Sequence, residues 1–292
     1  MFTKFALTGL LASGVATAAT LPKADVWQPE LTPKWQIILS STLNSASRIV
    51  PSDAKVWDLD VFETSASTIS KLQDAGSKVI CYYSAGTSEE GRNDLGGLTS
   101  SDYGKGLPDW PGEKYINIKS DRVWSVMKGR IDMAKEKGCD AVDPDNMDGY
   151  SNDNGLGLTQ ADAIAFVKKQ SSYAHSLGMS IGLKNAEEIL DQVQDSIEFA
   201  VNEECTKTGR CAWYNNLLAA QKPVFHIEYG SKSDSNTYCL KSMSNGNQFA
   251  TVIKHLSLDG WVVYCDGSEY TSSVADKSVD NGNEIDSGNE DA

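Results

Sequence analysis

The chain has 292 residues and a formal net charge of −14, with 40 acidic against 26 basic side chains. That balance argues against a nucleic-acid partner, which calls for a basic face, and suits either a cationic ligand or a surface kept soluble by its acids. Beyond the N-terminus no stretch approaches the roughly 20 apolar residues of a membrane-spanning helix, and no Asn-x-Ser/Thr sequon occurs.

Residues 1–19 combine Lys4, an apolar run and small residues up to Ala19, the layout of a secretory signal peptide, so the mature protein is expected outside the cell. Residues 20–275 then alternate short apolar runs with helical periodicity. The runs are "WQIILS", "KVWDLDVF", "SKVICYYSAG", "CDAVDPD", "MSIGLKN", "EFAVNEEC", "KPVFHIEYG" and "LDGWVVYC", eight predicted strands. Between them "TSASTISKLQDAG", "DRVWSVMKGRIDMAKEKG", "TQADAIAFVKKQSSYAHSLG", "AEEILDQVQDS" and "GNQFATVIKHLS" read as helices. Gly76, Gly138 and Gly178 close three of them. Strands alternating with helices imply parallel pairing through right-handed crossovers, and eight such units predict a single (β/α)8 (TIM) barrel of the α/β class. Residues 276–292 are acidic and nearly free of large apolar groups, which predicts a disordered tail.

Six cysteines suit an oxidising compartment. Cys205 and Cys211 close the shortest loop; Cys239 with Cys265 and Cys81 with Cys139 use the remainder, a connectivity the sequence leaves open. No Cys-x-x-Cys or His-x-x-x-His spacing is present, so no metal is expected, and no Gly-x-Gly-x-x-Gly follows the first strand, so no dinucleotide cofactor.

A barrel builds its site at the C-terminal ends of its strands, and those ends are polar here. The second carries Asp58 and Asp60, the third Tyr83 and Ser84, the fourth Asp143 and Asp145, the fifth Lys184 and Asn185. The sixth carries Asn202, Glu203 and Glu204, and the seventh His226, Glu228 and Tyr229. A lone acid at a strand end is commonly a cap; six polar ends on one edge point to a cleft with paired carboxylates, the requirement of glycoside hydrolysis. Gly-x-Ser-x-Gly is absent and each cysteine has a disulfide candidate, which argues against serine or cysteine nucleophiles. His175 and His255, in helical segments, read as structural.

"WDLD", "CYYSAG", "AVDPDNMDGY", "GLKNA", "FAVNEEC" and "FHIEYG", in this order, resemble glycoside hydrolase family 114, the endo-α-1,4-polygalactosaminidases. The resemblance implies a secreted (β/α)8 hydrolase of α-1,4-linked galactosamine or galactosaminogalactan, acting without metal and with retention of configuration; a monomer without cofactor is expected. Carried over onto this chain, the family's catalytic pair falls on Asp145, as nucleophile, and Glu203, as acid/base.

The strand pattern raises one objection. Ala141, Asp143 and Asp145 share a face, but alternation from Phe199 and Val201 turns Glu203 outward and Glu204 inward unless a bulge intervenes; Glu204 is therefore the alternative acid/base. Asp58, Asp60, Asp143 and Glu228 are candidates to bind the sugar ammonium, with Lys184, Asn185 and Glu204 beside them. Among Tyr82, Tyr83, Trp110, Tyr150, Trp213 and Tyr229, candidates to stack on sugar faces, Tyr83 and Tyr229 are preferred for their strand-end positions. The competing readings are a carbohydrate-binding barrel without catalysis and a hydrolase of neutral α-galactosides.

Overall fold

The computed structural model of the protein describes residues 25–239 and 249–275; the expected leader, residues 1–19, and acidic tail, residues 276–292, lie outside them. The barrel strands are β1 (Trp35–Ile38), β2 (Val56–Asp60), β3 (Lys78–Ser84), β4 (Ala141–Asp145), β5 (Ser180–Lys184), β6 (Phe199–Glu203), β7 (Val224–Tyr229) and β8 (Ala250–Lys254). Each pairs in parallel with the next. Helices α1 (Ala66–Asp74), α2 (Asp121–Lys137) and α3 (Gln160–Ser176) connect β2 through β5. The later crossovers are shorter: α4 (Leu190–Val193), α5 (Cys205–Thr208), α6 (Asn215–Ala219) and α7 (Ser235–Tyr238). Side-chain caps start the long helices. Ser65 accepts from the Thr68 N–H, Ser120 from that of Arg122, and Thr159 forms a reciprocal box with Asp162.

Two apolar layers result. Trp35, Ile37, Val56, Ile80, Ala141, Phe199 and Phe225 fill the barrel interior, whereas Trp57, Leu59, Cys81, Val142 and Leu183 face the helices. Both faces of each strand are buried, as parallel sheets require. The seam between β1 and β8 is bridged by side chains. Trp35 Nε1 donates to Ala250 O at 2.7 Å, and Lys254 Nζ donates to Gln36 Oε1 at 2.8 Å.

The eighth strand differs from the sequence reading. "LDGWVVYC" forms β9 (Trp261–Tyr264), which pairs antiparallel with β8 and with β10 (Glu269–Thr271). The barrel's own eighth strand lies in "GNQFATVIKHLS", expected as a helix. The spacing of Phe249, Val252 and Ile253 imitates a helical face, but Thr251, Val252 and Ile253 are consecutive β-branched residues buried on both sides, and that burial favours a strand. His255 therefore follows a strand, stacked on Trp261 with centroids 4.2 Å apart.

Between β3 and α2 the chain also builds a three-stranded antiparallel sheet, with Glu113–Ile116 between Thr87–Glu89 and Tyr103–Gly106. Its strands are short and polar, so no apolar run marks them in the sequence. Arg92 and Arg130 fasten it to the barrel. Their guanidinium carbons lie 4.2 and 5.0 Å from the Phe62 ring centre, and Arg92 pairs with Asp60 at 2.6 Å while Arg130 pairs with Asp94 at 2.7 Å. Three disulfides, Cys81–Cys139, Cys205–Cys211 and Cys239–Cys265, match the expected pairing. Among the described residues no helix is long and apolar enough to cross a membrane.

Candidate active site

The inward-facing residues of neighbouring strands change from apolar to charged as the strands reach their C-terminal ends. On β4 the series Ala141, Asp143, Asp145 faces in; on β6 it is Phe199, Val201, Glu203. Glu203 therefore reaches the mouth by plain alternation, without a bulge, and the objection from the strand pattern dissolves. Phe199 can face inward because its neighbour on β5 is Gly182: a Cβ there would lie 2.3 Å from the Phe199 ring.

Asp145 accepts the Tyr82 hydroxyl at 2.9 Å, the Asn146 N–H at 2.7 Å and Lys184 Nζ at 3.3 Å. The turn that follows puts Asn146 at φ 63° and presses its carbonyl on Gly86, where a Cβ would sit 1.7 Å from the oxygen. Only glycine fits there, which explains why "YYSAG" ends as it does. Glu203 accepts from the Tyr229 hydroxyl, from Asn185 Nδ2 at 2.9 Å and from Lys184 Nζ at 3.4 Å. Asn185 also accepts the Glu203 N–H at 2.8 Å, so one amide fixes both backbone and carboxylate.

Lys184, 1% exposed, thus stands between the two carboxylates. The Asp145 and Glu203 oxygens that it touches are no farther apart than the sum of 3.3 and 3.4 Å, about 6.7 Å. Burial pushes the Glu203 carboxyl up, but Lys184 and the bonds from Tyr229 and Asn185 outweigh it and hold the group below the ordinary glutamate range. Lys184 is held charged: the attraction of Asp145, Glu203 and Asp143 overcomes the cost of its burial.

The other predicted site residues divide. Tyr229 is in the mouth, its hydroxyl on Glu203. Asp58 and Asp143 face inward but are wholly buried beneath the mouth. Asp60 is occupied by Arg92. Tyr83 points outward instead, its hydroxyl on Gln170 of α3 at 2.9 Å, because Val79, Cys81 and Tyr83 share the helix-facing side of β3. Glu228 is likewise on the outer side and buried, bonded to His226 at 2.9 Å and to the Thr206 N–H at 2.7 Å. Glu204 leaves the strand at φ 60° and pairs with Lys207, outside the mouth. The ligand atoms of Cys205, Cys211 and His226 converge within 4.8 Å of one another, but the two sulfurs are joined in a disulfide.

Four contributors were missed or ranked too low from the sequence alone. Tyr82, ranked below Tyr83, is opposite Asp143 in the β3–β4 register and so shares its inward face; matching faces across strands would have found it. Glu89 and Glu113 come from the inserted sheet. Both lie within electrostatic reach of the site, and burial together with repulsion from Glu89 and Asp145 raises the Glu113 carboxyl. Asp148, in the loop after β4, is pushed up to about 6 by burial and by Asp145.

Among curated proteins nothing matches this chain. Among solved structures it is similar to Aspergillus fumigatus Ega3 in complex with galactosamine, at 46% identity and a TM-score of 0.77, over 82% of this chain and 97% of that one. It also shares the fold of the glycoside hydrolase domain of PelA from Pseudomonas aeruginosa, at 12% identity and a TM-score of 0.62, over 79% and 98% of the two chains. The family model of glycoside-hydrolase family GH114 matches residues 16–270. A barrel with facing carboxylates at its fourth and sixth strand ends, a family match over most of the chain and this identity to Ega3 together place the chain in glycoside hydrolase family 114.

Proposed function

We propose that this protein is an endo-acting hydrolase of α-1,4-linked galactosamine polymers, in which Asp145 is the nucleophile and Glu203 the acid/base. The observation that carries the assignment is Lys184 held between the two carboxylates, at 3.3 and 3.4 Å. The oxygens that share Lys184 are at most about 6.7 Å apart, which accommodates the roughly 5 Å spacing of retaining enzymes.

In the first step an Asp145 oxygen bonds to the anomeric carbon as the glycosidic bond breaks, and Glu203 gives its proton to the leaving oxygen. In the second, Glu203 takes a proton from water while that water displaces the Asp145 ester, restoring both groups. Lys184 and Tyr82 stabilise Asp145 when its charge returns. The Glu203 environment seen here, rich in donors, suits the ionised form required in the second step.

The substrate class is supported by the galactosamine bound to Ega3, whose chain is 46% identical, and by the acids around the mouth. Asp148, Glu89 and Glu113 supply negative charge beside Asp145, which suits a sugar that carries an ammonium. The leader pattern and the three disulfides support secretion, and the protein is proposed to act as a monomer. Asp145→Asn and Glu203→Gln are each expected to lower kcat about 1000-fold without changing the melting temperature, while Glu204→Gln stays within about threefold of the parent. Full turnover by Glu203→Gln would remove the assignment.

A further inference from the structure

Directly beneath the mouth, Asp58 of β2 and Asp143 of β4 are buried inside the barrel, each 0% exposed. No N–H or O–H of any other described residue reaches their four carboxylate oxygens. The two side chains lie within hydrogen-bonding reach of each other, and a bond between two carboxyl groups forms only when one of them carries a proton. Around them lie Tyr82, opposite Asp143 in the β3–β4 register, Asp145 on β4, Lys184 on β5 and Glu203 on β6. Lys184 is the cation whose attraction acts on both acids.

We infer that Asp58 and Asp143 share one proton, and that the resulting singly charged pair is a positioning element which holds Lys184 between Asp145 and Glu203. This rests on the reading of Asp145 and Glu203 as the reacting couple. The charge count favours it. One negative charge on the pair balances Lys184 from below, which leaves the reacting couple free to carry one charge and one proton, the state from which double displacement begins. With no charge on the pair, Lys184 is drawn wholly toward the reacting carboxylates and stabilises the ionised form of the one that has to donate. With two, like charges in contact are buried with a single counter-ion. The protonation behaviour agrees. Burial first, then repulsion by Asp143, keeps Asp58 far above the ordinary aspartate range. Asp143 is pushed up by burial and restrained by Lys184.

Asp58 acts as the proton carrier and Asp143 as the charge that faces Lys184. In Asp58→Asn the amide N–H keeps donating to Asp143 while the repulsion is gone, so Asp143 stays ionised to lower pH. The acid limb of kcat is therefore expected to move to lower pH in this variant. Asp58→Asn/Asp143→Asn removes the charge and is expected to lower kcat about 100-fold, with KM within about threefold, as misplacement of a reacting group does.

Infrared difference spectra test the shared proton without turnover, and so separate its failure from a failure of the glycosidase reading. At about pH 8 the parent is expected to show the carbonyl band of an un-ionised carboxylic acid, absent from Asp58→Asn. A parent spectrum without that band overturns the inference. So does a folded double variant with the parent's kcat, or an Asp58→Asn profile that superimposes on the parent's.

Discussion

At the scale of single residues, Tyr229 is the most informative partner of the proposed acid/base. Its hydroxyl donates to Glu203 and favours the ionised form. A lowered pKa means that the productive, protonated form of Glu203 in the free enzyme is lost at lower pH than for an ordinary glutamate, so the alkaline limb of kcat/KM lies on the acidic side. Tyr229→Phe removes a bond to the ionised form and is expected to move that limb to higher pH; an unmoved limb in pH–rate profiles would show that Glu203 does not control it. Asp145 and Glu203 were legible as strand-end acids, but which way Glu203 points was not. Alternation from Phe199 presumes that a large aromatic faces the helices, whereas Gly182 on the next strand opens room for it inside the barrel. The same two-sidedness misled the choice of Tyr83 over Tyr82: both sides of β3 are apolar, and only the register with β4 distinguishes them.

At the scale of elements, seven of the eight barrel strands were legible as apolar runs, six of them closed by polar ends, and the three long helices as periodic segments with caps. The eighth strand was not, since its fully buried surface carries no alternation and its apolar spacing also fits a helix. Its last residue offers a test of the seam. Burial lowers Lys254 to about 7 against the attraction of Asp259, its ammonium resting on Gln36 Oε1 and the Asp259 carbonyl. The unfolded chain keeps a proton on this lysine up to the ordinary range near 10.4. Between about pH 7 and 10 the unfolded state thus binds more protons, and stability rises with pH by up to about 1.4 kcal/mol per unit. Chemical denaturation of the parent is expected to show this rise relative to Lys254→Met; parallel curves would mean that Lys254 stays charged. The disulfides differ in reach: Cys81–Cys139 spans 58 residues and Cys205–Cys211 only 6. Loop-closure entropy predicts that Cys81→Ser/Cys139→Ser costs about 4 kcal/mol and Cys205→Ser/Cys211→Ser about 2 kcal/mol, measured in the same denaturation assay.

At the scale of the whole molecule, the net charge of −14 acquires a local meaning. Part of it is gathered at one end of the barrel, where Asp145 and Glu203 face each other and the inserted sheet adds Glu89 and Glu113. That insert was not legible, because its strands are short and polar and its attachment depends on Arg92, Arg130 and Phe62, which come together only in three dimensions. This acidic mouth is proposed to cleave chains of cationic sugar with Asp145 and Glu203. The most direct test is the release of reducing ends by the purified protein from de-N-acetylated galactosamine polymer and, side by side, from neutral galactan, repeated with Glu203→Gln. Release from the cationic polymer alone, lost in Glu203→Gln, is the predicted result; equal release from neutral galactan, or undiminished release by Glu203→Gln, would contradict it.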